Sequence, residues 1–187
     1  AQRSSDRPSS DASTNLMACA QFCTKSNKAG VYVVMHDTSG DDSFAVHIGS
    51  RVRKMHTSRR DAFKSINTVP AANIDKDWKI TLNMDLPSKR DGKVIVKEGM
   101  CSKTVLLQYY PGMDSALFED VFMKSEGVVI AGSGLGHVNE NMIPLIEKAV
   151  KNGTIVVMTS QCINGQTNMN VYNTGRDLIS AGVISVF

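Results

Sequence analysis

The chain has 187 residues, enough for one large domain or two small ones. Its apolar share, 42%, is ordinary for a globular protein and supports a packed core. A formal net charge of +3 is too small to mark the whole protein as a nucleic-acid binder, so any such claim must rest on a local patch.

Cysteines stand at 19, 23, 101 and 162 with no C-x-x-C pair. That spacing argues against a zinc site and suggests no disulfide framework. Reduced thiols fit a cytoplasmic protein. No apolar run approaches the length of a membrane span. The polar start "AQRSSDRPSSD" is neither a signal nor a transit peptide. The sequence opens without Met and stops inside the apolar run "GVISVF", so we expect a fragment of a longer protein.

Residues 10–29 are predicted to be helical. Ser9, Ser10 or Asp11 can cap the start, and Gly30 stands where a left-handed C-terminal residue belongs. Leu16, Met17, Ala20 and Cys23 recur at helical spacing. "VYVVMHD" follows as a strand that is apolar on both faces, the pattern of a parallel sheet. "SFAVHIGS" and "RVRKMH" alternate like two strands around Gly49. Residues 67–100 hold Pro70, Pro87 and short β-like runs, and read as a connector with a hairpin or two. Beyond residue 101 the chain alternates strand and helix: "TVLLQYY", "PGMDSALFEDVFMKS", "GVVIA", "NENMIPLIEKAVKNG", "TIVVMTSQ", "TGRDLISAG" and "VISVF". Pro144 is tolerable there only in a first helical turn. This rhythm predicts an α/β fold with a parallel sheet.

Ligands of open parallel sheets sit at the carboxyl ends of the strands, so the loops there carry the candidates. "AGSGLGHV" at 131–138 has the spacing G-x-G-x-G, not the G-x-G-x-x-G of a dinucleotide site. It fits a tight turn, or a loop that presents His137 and backbone N–H groups to a small polar substrate. "RVRKMHTSRRDAF" at 51–63 gathers five cations and one histidine. Three readings fit it: a solvated face with Arg–Asp pairs, a nucleic-acid contact, or a site with one activated lysine. Phe63 is its one aromatic residue, which weakens the nucleic-acid reading. Strand alternation puts Lys54 on the face of Val52, as for a partly buried lysine. Histidines 36, 47, 56 and 137 show no metal-ligand spacing, so no metal is implied.

Together "AQRSSDRPSSDASTNLMACA", "VYVVMHD", "RVRKMHTSRRDAFKSIN", "AGSGLGHV" and "TSQCINGQTNMNVYNTGRDLISAGVI" resemble the L-asparaginase/glutaminase family in order and spacing. Within it, "RKMHTSRRDAF" is similar to the D subunits of archaeal glutamyl-tRNA(Gln) amidotransferases. The resemblance implies a parallel-sheet, asparaginase-like fold of two α/β domains joined by an irregular connector. Residues 1–66 would be the later part of the first domain, 67–100 the connector with hairpins, and 101–187 a truncated second domain.

The resemblance also implies glutamine hydrolysis by a threonine that a second threonine, an aspartate and a lysine activate. The pattern x-K-x-(H/N)-T places that lysine at Lys54, ahead of His56 and Thr57. Arg51, Arg53, Arg59 and Arg60 would form its surroundings. His137, with Gly136, matches the loop that free asparaginases lend to the substrate pocket of a neighbouring subunit, which implies a homodimer. The threonine-bearing segments T-G-G-T and G-T-D-T do not occur in the sequence. The fragment alone is therefore expected to be inert. The implied partners are glutamine or asparagine, a subunit of the E type, and Glu-tRNA(Gln) reached through the complex. No cofactor is implied in this chain; ATP and Mg would lie at the partner subunit. A free L-asparaginase and a non-catalytic tRNA-binding module are the alternatives.

Overall fold

The computed structural model describes residues 2–89, 92 and 95–186. The chain divides into two units, one through Ile95 and one from Val96.

The first unit opens with helix α1 (Ala12–Lys25). Strands β1 (Tyr32–His36) and β2 (Ser43–Ile48) follow, and a 3-10 turn at Gly49–Arg51 leads into β3 (Val52–Lys54). Then come β4 (Phe63–Ser65), β5 (Ala72–Asp75) and β6 (Ile80–Leu82). The main sheet runs β1-β2-β5-β6 and is antiparallel at every pairing. β3 and β4 form a separate two-stranded ribbon.

The expectation of a parallel first sheet therefore fails. Val34, Met35 and His36 are buried in succession, which mimics a parallel strand. An antiparallel strand that is covered on both faces produces the same burial. α1 covers one face by packing Ala18 and Phe22 against Val34. The helix also turns a different side inward than its apolar spacing suggests. Asn15, Ala18 and Phe22 are buried, whereas Leu16 and Met17 are exposed. Two polar residues at the helix start, Asp11 and Asn15, set that orientation. Asn27, at φ 52°, takes the left-handed position after the helix, ahead of Gly30.

Residues 72–82 are not part of a free connector. The β5–β6 hairpin continues the first sheet, with Ala71, Ala72 and Ile74 in its core. Its turn brings Trp78 to φ 62° and stacks the indole on Phe44, with ring centroids 5.7 Å apart. Pro70 and the turn residues punctuate this hairpin, so the first unit extends well past residue 66.

The second unit carries the expected rhythm. It runs β7 (Thr104–Gln108), α2 (Glu119–Lys124), β8 (Gly127–Gly132), α3 (Ile143–Lys151), β9 (Ile155–Ser160), α4 (Asn173–Ser180) and β10 (Ile184–Ser185). All pairings in the order β10-β9-β8-β7 are parallel. Near-continuous apolar strands suit a sheet that helices cover. Phe122, Ile146 and Leu178 from the three helices close on Val128, Ile130, Val156 and Met158 from the strands. Pro144 lies in the first turn of α3, where its missing N–H leaves no broken bond.

Candidate active-site segments

Lys54 ends β3, opposite Phe63 of β4. The loop beyond it is tightly organised. Met55 N–H donates to the Ala62 carbonyl at 2.6 Å. His56 Nδ1 accepts from the N–H groups of Ser58 and Arg59, each at 3.1 Å. Arg59 grips Asp61 with two parallel bonds of 2.9 and 2.8 Å. Burial works against the charge on Asp61, but Arg59 and Lys64 outweigh it and hold its pKa below the ordinary carboxylate value.

The side chain of Lys54 is exposed, not partly buried as its strand position suggests. A ribbon of two three-residue strands has too little surface to cover it. Lys54, Met55, His56 and Thr57 line an open cleft of about 410 Å³. Beside the same loop, Ser58 joins Gln2, Arg3, Ser4, Arg7 and Ser9 around a polar cleft of about 480 Å³.

The five cations of the stretch divide. Arg51 and Arg53 are exposed, and Arg59 is paired within its own loop. Arg60 turns inward. Its Nη1 donates to Asp41 Oδ1 and its Nη2 to the Ser9 carbonyl, both at 2.8 Å. The same Asp41 oxygen lies 2.9 Å from Nε2 of the fully buried His36. The His36 bond, followed by the Arg60 bond, holds Asp41 below the ordinary carboxylate range.

His36 Nδ1 lies 2.8 Å from Asn15 Oδ1, which also accepts the His36 backbone N–H at 3.1 Å. Asn15 Nδ2 donates to Asp11 Oδ2 at 2.8 Å, which fixes the amide orientation. Asp11 itself accepts the N–H groups of Gln2 and Arg3 at 2.9 Å. Periodicity could not reveal this network, because it is polar and buried. The signals in the sequence were the i, i+4 pair Asp11–Asn15 and a histidine ending an apolar strand.

The ribbon has a second anchor. His47 of β2 is buried, and its Nδ1 lies 2.8 Å from Ser65 Oγ of β4. Burial pushes the His47 pKa down; Lys64 adds to this and Asp37 opposes it. Lys64 Nζ also donates to the Asp37 carbonyl at 3.1 Å.

In the second unit the glycine-rich loop closes on itself. Ser133 N–H donates to the His137 carbonyl at 2.9 Å, and Gly136 and His137 N–H donate to the Ser133 carbonyl at 2.9 and 3.0 Å. Those three N–H groups are therefore not offered to a ligand. Gly136 sits at φ +100°, and a Cβ there would lie 3.0 Å from Met158 Cγ, so the turn requires glycine. Two bonds fasten the loop to the segment after β9: Ser160 Oγ to the Gly134 carbonyl at 2.5 Å and Asn168 N–H to the Leu135 carbonyl at 2.9 Å. His137 meets Tyr172 edge-to-face at 5.2 Å, and its Nδ1 lies 3.4 Å from Thr174 Oγ1. Its Nε2 is buried without a hydrogen-bond partner among the described residues. Lys54 belongs to the first unit and His137 to the second.

Comparison with known proteins agrees with both units. Residues 1–87 match the family "Asparaginase, N-terminal", and residues 103–187 match "Glutaminase/Asparaginase C-terminal domain". The chain is 51% identical over 185 residues to the D subunit of the glutamyl-tRNA(Gln) amidotransferase from Thermococcus kodakarensis, covering 98% of this chain and 42% of that protein. It is 46% identical over 190 residues to the D subunit from Methanopyrus kandleri, with the same shares. The chain thus spans less than half the length of the curated relatives it matches. Among solved structures, the thermostable L-asparaginase from Thermococcus kodakarensis superposes with a TM-score of 0.83 at 26% identity, over 96% of this chain and 52% of that one. Two adjacent family matches, the identity to the D subunits and a shared fold place the chain in the glutaminase/asparaginase family.

Proposed function

We propose that the full-length protein is the glutaminase subunit of a tRNA-dependent amidotransferase. It hydrolyses glutamine, and the ammonia passes to a partner subunit of the E type that converts Glu-tRNA(Gln) to Gln-tRNA(Gln). One observation carries the reading: 51% identity to an amidotransferase D subunit across 98% of the chain, against 26% to a free L-asparaginase. Lys54 is the activating lysine. Its exposure in an open cleft beside His56 and Thr57 supports this role, since a threonine from elsewhere in the full-length protein must reach it. His137, held by the turn that Gly136 shapes, belongs to the loop that lines the substrate pocket of a neighbouring subunit in a homodimer. ATP and magnesium belong to the partner subunit.

The test is Lys54→Ala in the full-length complex. Glutamine hydrolysis should fall on the order of a hundredfold or more with the fold intact, since an activating group is lost. Arg59→Ala should do far less, because that guanidinium is spent on Asp61. Parental activity in the Lys54 variant would remove the assignment. Asparagine hydrolysed in preference to glutamine would favour a free asparaginase instead.

A further inference from the structure

We propose that Arg60 is a positioning residue: its guanidinium clamps the Lys54 loop to the loop at residues 2–10 and, through Asp41, to the buried His36. The proposal rests on the assignment of Lys54 to hydrolysis and adds how that lysine is held in place.

Arg60 differs from its neighbour in every respect that matters. Its side chain is 12% exposed, against 57% for Arg59. One amino group serves Asp41 and the other serves the Ser9 carbonyl. A planar guanidinium can reach both at once, whereas a single ammonium cannot hold the same fork.

Followed onward, the contacts close into a circuit. Arg60 holds Asp41, Asp41 holds His36, His36 holds Asn15, and Asn15 holds Asp11. Asp11 holds the N–H groups of Gln2 and Arg3, at the far end of the loop whose near end, Ser9, returns to Arg60. The His36 ring bridges the two halves of the circuit, with Nδ1 toward Asn15 Oδ1 and Nε2 toward Asp41 Oδ1. The His36–Asn15 and Asn15–Asp11 links are buried, where hydrogen bonds gain most, and the Arg60–Asp41 link is charge-assisted but open to solvent at Asp41.

The circuit acts on Lys54 because of what else holds the ribbon. His47–Ser65 and Lys64–Asp37 secure β4, at the base of the loop. Arg60 secures the tip, just past Lys54, His56 and Thr57. An error of about 1 Å in a reacting group can cost on the order of a hundredfold in rate. This arrangement also disfavours Arg60 as a phosphate contact, since both of its amino groups are already engaged within the protein.

The experiment uses the full-length complex with Arg60→Ala, Arg60→Lys and Arg59→Ala. Arg60→Ala should lower kcat for glutamine roughly tenfold or more, with KM changed less than about threefold. Arg60→Lys should recover part of that loss, since an ammonium can keep one of the two contacts. Amide hydrogen exchange should rise in residues 2–10 and 55–62 together in Arg60→Ala, and only near 58–61 in Arg59→Ala. A folded Arg60→Ala enzyme with parental kcat would overturn the proposal. So would exchange that rises at 55–62 while 2–10 stays protected. A slope of log tRNA affinity against log salt that falls by about one in Arg60→Ala would overturn it in favour of a phosphate contact. Lys54→Ala distinguishes the layers: an active Lys54 variant removes the function that is positioned, while the paired exchange still reports whether the clamp exists.

Discussion

Asp11 is the residue on which the polar circuit turns. It is fully buried and accepts two backbone N–H groups and the Asn15 amide. Burial alone would raise its pKa, but the bonds from Gln2 and Arg3 outweigh burial and keep it below the ordinary carboxylate value. Asp11→Asn should cost roughly 2–3 kcal/mol near neutral pH, measured by urea unfolding, since it removes charge-assisted bonds and turns a donor toward donors. A depressed folded pKa contributes stability that is complete above the unfolded value of about 3.9 and is lost as pH falls through the folded value. The gap between parent and variant should therefore narrow in acid. Sequence reasoning named Asp11 as one of three possible helix caps. Its side chain instead bonds backward to the preceding loop, and the first helical bond to a hydroxyl goes from Ala12 N–H to Ser10 Oγ. Local sequence shows which groups are able to cap; it does not say which has a better partner elsewhere.

At the scale of elements, the β3–β4 ribbon depends on His47, with Asp37 and Lys64 as the charged groups facing it. Its depressed pKa means that folding disfavours the protonated imidazole. The unfolded chain takes up the proton first as pH falls below about 6.5, so the stabilisation is present above that value and declines through the folded pKa. The protection factors of the Met55 and Ile66 amides, whose N–H groups close the two ends of the ribbon, should fall between pH 7.5 and about 5.5. His47→Gln should remove most of that difference, because an amide does not titrate in this range. An unchanged pH response in the variant would show that another group controls the ribbon. β7, β8 and β9 were legible because each is an apolar run that a helix follows. The first unit's strand direction was not. Burial on both faces is what the pattern reports, and β1 has it while pairing antiparallel.

For the whole molecule, each unit has its own core: one around Phe44, Val46 and Ile74, the other around Phe122, Ile130 and Met158. Phe122 is completely buried. Phe122→Ala should destabilise the second unit by about 3–5 kcal/mol, through lost burial and the cavity left behind. The readout is loss of the slowly exchanging amides of β8 and β9, and retention of their protection would contradict the assignment of this core. The alternating strands and helices of the second unit were plain from its sequence. The boundary between the units was not, because Pro70 and its turn residues read like a linker when they shape a hairpin inside the first sheet.

The fastening of the glycine loop also bears on how such chains can vary. Ser160 and Asn168 hold the carbonyls of Gly134 and Leu135, so the loop's shape is set partly by donors on another segment. Neither segment can shift without releasing the other. Relatives that lengthen the stretch between Ser160 and Asn168 must either reshape the 133–137 turn or keep those two donors in register. A graft of this turn into another member of the fold should therefore succeed only when donors equivalent to Ser160 and Asn168 travel with it.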